Sequence, residues 1–231
     1  MNIEGVEIEV ERKPIKNMHL SVYPPDGRVH LSMPDYLTDG DARSYVVSQW
    51  AWIKKQQADI AAQARQTERE YVSGENHYFF GSRHILKVLY TTSGANSVEI
   101  HGGSMIMKVR KGSSVERKAE LMNEWYRQHL KEYIGVLMDK WTSKLEEADV
   151  TWQIKIMKTQ WGSCGAKRRA LLFNLELARV PKECIEYVVV HELTHLQVQN
   201  HSKVFEAMMS QRMPNWRNLR KQLNDFIAMP I

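Results

Sequence analysis

The run HELTHLQVQNH, residues 191–201, holds three of the chain's nine histidines. His191 and His195 stand four apart. On a helix this spacing turns the second ring only about 40° from the first, one turn along, so both imidazoles face one point. Two imidazoles set this way can share a zinc ion. Glu192 projects about 60° from the His195 direction. That angle is skewed for ligation but suits action on a water held at the metal. A catalytic zinc site needs a third protein ligand and one open position. His201 is the better candidate, six residues after His195, and Glu206 on the following helix is the alternative. The interval before His201 lets the helix stop and the chain fold back, with Asn200 as a left-handed turn residue and Ser202 capping the next helix.

The same histidine spacing occurs in metzincins, which carry glycine where this chain has Val198. Valine tolerates a left-handed turn poorly, which argues against that class.

The surrounding elements must hold these groups still. Pro181 suits a helix start. KECIEYVVVHELTHLQVQ then reads as a helix apolar on nearly every side, hence buried. An unpartnered His–Glu–His cluster inside it would be costly without a metal. Upstream, TWQIKIMKTQWGSCG reads as a strand into a turn, and ALLFNLELARVP as a second strand. Downstream, SKVFEAMMSQRM and NWRNLRKQLNDFI read as two helices broken at Pro214. Met208, Met209 and Met213 read as core packing. Further back, residues 3–33 alternate apolar and polar, with PPDG as the turn of a hairpin. A helix capped at DGD comes next, then strands over 76–110. A long helix runs over about 115–148, with a stripe of Leu121, Trp125, Leu130, Ile134, Leu137, Met138 and Trp141. No internal repeat is visible.

Composition bounds the class. The 231 residues are 43% hydrophobic and 26% charged, the balance of a globular protein. No apolar run reaches the roughly 20 residues that span a bilayer, and no secretory leader is visible. Two cysteines build no disulfide framework, so a cytoplasmic setting is expected. The net charge of +5 leaves a nucleic-acid or nucleotide partner open without requiring one.

Other residues carry weaker signals. Cys164 reads either as a thiolate that closes the metal's open position or, preferably, as an inert cysteine in a tight turn. Asn174 and Tyr187 are polar groups near the motif whose plain role is packing. Lys167, Arg168 and Arg169 come just after WGSC in a loop that could border the cleft, favouring an anionic substrate if they are more than a solvated turn. Arg217, Arg220 and Lys221 near Trp216 read as a solvated helix face in preference to a nucleic-acid surface.

Taken together, the WGSC element (Trp161, Gly162, Ser163, Cys164), the Asn174 strand, the VVVHELTHL helix, the NHSKVF element, and Pro214 with Trp216 resemble the YgjP-like metallopeptidase domain family. The resemblance covers roughly residues 150–224. NHSKVF also resembles the third-ligand segment of SprT-like and Spartan-type DNA–protein crosslink proteases. One departure is Gln160, where the family often has a basic residue before WGSC. The resemblance implies zinc held by His191, His195 and His201, with Glu192 as general base and Trp161, Cys164 and Asn174 close by. The expected fold is α+β. A zincin-like module over 150–231 packs on an N-terminal antiparallel region, 1–112, through a connecting helix, 113–149. The expected activity is that of a zinc metallopeptidase of narrow specificity acting on polypeptides. The alternative is metal-dependent hydrolysis of a nucleotide or other phosphoanhydride.

Overall fold

The computed structural model describes residues 1–23, 27–63, 69–157 and 160–227. The PPDG turn and the residues just before Gln160 lie largely outside these. The chain divides into two units, one ending at Thr67 and one running from Glu68 to Ile227. The boundaries at 112 and 149 read from the sequence both fall inside the second unit.

In the first unit, β1 (Asn2–Ile3), β2 (Val6–Lys13), β3 (His19–Tyr23) and β4 (Arg28–Pro34) form a sheet in the order β1-β2-β4-β3. The hairpin strands β3 and β4 pair antiparallel, but β2 pairs with β4 in parallel. The region is therefore mixed and not purely antiparallel. Alternation fixes which face each strand buries, and says nothing about its neighbour. Ile8, Val29, Leu31 and Met33 point inward onto Ala42, Val46 and Ile53 of α1 (Asp39–Ser48) and α2 (Trp50–Gln63). The cap of α1 is Thr38 and not the DGD segment. Its hydroxyl accepts from the Asp41 N–H while the Asp41 carboxylate accepts from the Thr38 N–H, a reciprocal capping box.

The second unit opens with β5 (Asn76–Phe79), β6 (Ser82–Thr91), β7 (Ser97–His101) and β8 (Ser104–Arg110) in the order β5-β6-β8-β7, again with a parallel pair, β6 with β8. The 31-residue helix α3 (Val115–Leu145) comes next. Met122, Tyr126, Leu130, Ile134, Leu137, Met138 and Trp141 are its buried stripe. Met122 and Tyr126 take the places expected of Leu121 and Trp125, one residue along. Trp125 lies on the flank against Phe79 and His129. The helix stops at Glu146, which takes the left-handed conformation at φ 54°.

The chain then forms a three-stranded sheet, in the order β10-β11-β9, from β9 (Thr151–Lys155), β10 (Gly162–Gly165) and β11 (Ala170–Asn174). Its central strand β11 is antiparallel to β10 and parallel to β9. Then come α4 (Lys182–Thr194), α5 (Lys203–Arg212) and α6 (Trp216–Ile227). Val189, Val190 and Leu193 of α4, Phe173, and Leu130 and Ile134 of α3 share one core, so α4 is held from several sides. No helix among the described residues is long and apolar enough to cross a membrane.

Candidate metal centre

The helix that carries the motif starts where the sequence places it, with Pro181 at φ −55° as its cap. It ends earlier than the apolar pattern suggests, at Thr194, with His195 as C-cap. Gln197 and Val198 both donate their N–H to Thr194 O, so the last turn tightens and releases the chain. No residue between 195 and 201 takes a positive φ. Asn200 is thus not the left-handed residue expected of it, because these tight turns redirect the chain without one. Ser202 does cap α5, accepting from the Phe205 N–H.

This path brings three imidazoles together. The Nε2 atoms of His191, His195 and His201 lie 3.0–3.1 Å from one another. An ion about 2.0–2.1 Å from each nitrogen fits such a cap. His195 Nδ1 donates to Val198 O at 3.0 Å, which leaves the Nε2 lone pair facing the other two rings. Phe205, fully buried, floors the cluster. The His195 ring stacks on it at 4.6 Å, and those of His191 and His201 meet it edge-on. Burial, then the neighbouring histidines and Arg220, pushes His191 down to about 3, so its ring is neutral and able to ligate. His201 shifts down for the same kinds of reason. Three imidazoles facing one point, with a cleft on the far side, are a donor set suited to zinc with an open position. Among the described residues this is the one cluster of three or more groups able to hold a metal. Glu206, the alternative third ligand, instead pairs with Arg217 at 2.8 Å.

The cleft has a volume of about 950 Å³ and is walled by residues 160–168, by α4 and by α6. Glu192 lines it, 5% exposed, and burial alone pushes its carboxyl up to about 8. Trp161, Cys164, Lys167 and Arg168 line it too. The Cys164 thiol is raised to about 11, first by burial and then by Glu192, the surroundings of an inert cysteine and not of a reactive thiolate.

Two residues expected at the site lie elsewhere. Arg169, in the left-handed region at φ 48°, turns away and donates to Glu147 Oε2 at 2.5 Å and to Ala148 O. Asn174 is buried and braces the WGSC approach. Its Nδ2 donates to Met157 O and Gln160 O, and its Oδ1 accepts from the Glu176 N–H.

Arg220, read from the sequence as part of a solvated helix face, is exposed and also borders the cleft. It lines the cleft and has no hydrogen-bond or ion-pair partner among the described residues. Its charge is felt at His191, His201 and Tyr187. Periodicity along α6 could not separate it from Arg217, since only tertiary packing decides which face meets the cleft. Arg217 lies over the buried Trp216 ring, whose Nε1 donates to Ser210, so that indole is no platform for a base.

The model of the YgjP-like metallopeptidase domain family matches residues 16–226. No curated protein matches the chain. Two solved structures are similar to parts of it. The metallopeptidase zymogen jannalysin of Methanocaldococcus jannaschii is 19% identical over 42% of this chain and 96% of that one, with a TM-score of 0.36. The abylysin zymogen of Pyrococcus abyssi is 18% identical over 44% and 90%, with a TM-score of 0.32.

Proposed function

The chain belongs to the YgjP-like metallopeptidase domain family, and we propose that it is a zinc-dependent hydrolase of narrow specificity that cleaves polypeptides. The observation that carries this reading is the convergence of three histidine Nε2 atoms beside a buried carboxylate in an open cleft. Zinc held by His191, His195 and His201 would supply Lewis acidity and a water acidified towards neutrality. Glu192, buried in the cleft beside the histidines, takes the proton of the attacking water and returns it to the leaving amine. Arg220 and Tyr187 line the cleft and are the candidates for stabilising charge that develops on the attacked carbonyl oxygen. β10 stands at the edge of its sheet with all four residues along the cleft, a place where an extended peptide can add as a strand. Both cysteines are free, which supports a cytoplasmic setting.

One observation favours a second reading. Lys167, Arg168 and Arg220 all line the cleft, and among the described residues Glu192 is the single carboxylate there. Such a wall suits phosphate oxygens, and with them a phosphoanhydride substrate.

Metal content tests the base of both readings. Purified protein should hold about one zinc per chain. His201→Ala should lose most of it, and Glu206→Ala should keep it. The opposite pattern would make Glu206 the third ligand.

A further inference from the structure

Glu192 is buried between α4 and β10, yet it makes no hydrogen bond or ion pair with any described residue. No polar contact from a described residue therefore aims it. Across from it stands Gly162, the first residue of β10. A Cβ built on Gly162 would fall 2.7 Å from Glu192 Oε1, 2.8 Å from its Cγ and 2.9 Å from its Cδ. Ordinary contact with a Cβ begins near 3.4 Å, so the carboxylate arm already occupies the space a side chain would need.

Glycine serves at such positions either for backbone freedom or for space. Gly162 is absent from the glycines with positive φ, so an alanine could take its backbone conformation without strain. Space is what remains. The strand itself has little room to retreat, because Gly162 to Gly165 pair residue by residue with Phe173 to Ala170. Behind Glu192, α4 sits in a tightly filled core. The part able to give is the flexible arm of Glu192.

We propose that Gly162 is a positioning residue: its bare Cα is the stop against which the Glu192 carboxylate is aimed at the metal's open position. This rests on Glu192 being the base. The first glycine of the WGSC element then has a chemical purpose, and Gly162→Ala should leave the fold standing while turning the base aside.

The test is a four-member cycle of wild type, Gly162→Ala, Glu192→Ala and the double variant, read without any substrate. The metal-free proteins are melted, and the cobalt(II)-loaded proteins are examined by visible absorption. The expected result is that Gly162→Ala lowers Tm and shifts the cobalt bands at unchanged cobalt content, and that both effects vanish in the Glu192→Ala background, where no arm is left to displace. If Gly162→Ala fails to fold, recovery of folding in the double variant gives the same answer. Effects that persist without the Glu192 arm, a double variant that also fails to fold, or a Gly162→Ala protein unchanged by both readouts would overturn the proposal. On any polypeptide the wild type cleaves, kcat of Gly162→Ala should fall about 100-fold with KM kept. Loss of turnover in Glu192→Gln with full turnover in Gly162→Ala would remove the positioning role alone. Full turnover in Glu192→Gln would instead remove the base itself.

Discussion

The four-stranded sheets of the two units have the same strand order. In each, a short strand pairs antiparallel with a second, the second runs parallel to a fourth, and the third closes a hairpin with the fourth. The helices that come after these sheets differ. In the first unit the sheet is covered by α1 and α2, of 10 and 14 residues, and among the described residues eight buried side chains form its core. In the second, the single helix α3 of 31 residues reaches beyond its sheet and shares its core with β11 and α4. The three histidines converge on that extended frame, and no comparable cluster occurs in the first unit's described residues. One topology thus serves as a closed module in one place and as the anchor of the histidine-bearing helix in the other.

The sharpest way to probe this contrast is to remove chemistry without touching the frame. Glu192→Gln keeps the shape of the side chain and cannot take a proton. Turnover should fall by about three orders of magnitude or more, with zinc content and Tm held. Retained turnover would end the role of Glu192, and lost zinc would show that the carboxylate holds the frame.

Matched cavities in the two cores come next. Leu31 and Leu130 are both fully buried, one in each core. Either change to alanine should cost about 2–5 kcal/mol in its own unit. Only Leu130→Ala should weaken zinc binding, since α3 shares its core with α4. If Leu31→Ala strips zinc equally, the first unit is no closed module and the comparison fails.

Arg220→Ala probes the cleft wall on α6 and should lower kcat/KM about 10- to 100-fold, a barrier change of about 1.4–2.7 kcal/mol. Arg217→Ala, beside it on the helix but tied to Glu206, should do nearly nothing. Equal losses would return Arg220 to a general basic face.

The smallest effect concerns how the ends of the frame are tied. Burial raises the Glu147 carboxyl, but hydrogen bonds from Arg169 and Gln197 and the charge of Arg212 outweigh it, so its net shift is downward from 4.5. A carboxyl lowered by folding adds stability that is present above about pH 4.5 and fades as pH falls through the folded value. Glu147→Gln should therefore cost about 1–3 kcal/mol at pH 7, and the difference from wild type should shrink below pH 4.5. Melting curves from pH 3 to 7 measure this. A difference that stays flat with pH would show that the Glu147 charge does not matter.

Legibility in the sequence tracks the range of each signal. The convergence of His191 and His195 is a property of one helix turn, and Pro181 and Ser202 mark helix starts by local chemistry. The long helix was legible from its apolar period, though its first half sits one residue off because Trp125 could be satisfied by Phe79 and His129 on the flank. Parallel pairing of β2 with β4 and of β6 with β8 was not legible, since alternation is blind to neighbour order. The repeated topology stayed hidden for the same reason, because no repeated motif accompanies it. In the site, Arg169 and Asn174 stood 22 and 17 residues before the histidine motif, just after WGSC, and their hydrogen bonds carried them to bracing roles. Arg220 stood at a similar distance on its other side, and packing brought it in.

The central claim is that Glu192, aimed at a zinc held by three histidines, hydrolyses polypeptides. One panel tests it most directly. Zinc-loaded wild type and Glu192→Gln are each given unfolded proteins, DNA-bound proteins and nucleoside triphosphates, and peptide fragments and released phosphate or pyrophosphate are measured together. The account predicts fragments from wild type and none from Glu192→Gln. Glu192-dependent release of phosphate or pyrophosphate, with every polypeptide left intact, would contradict it and establish the cleft's cations as a phosphate-binding wall.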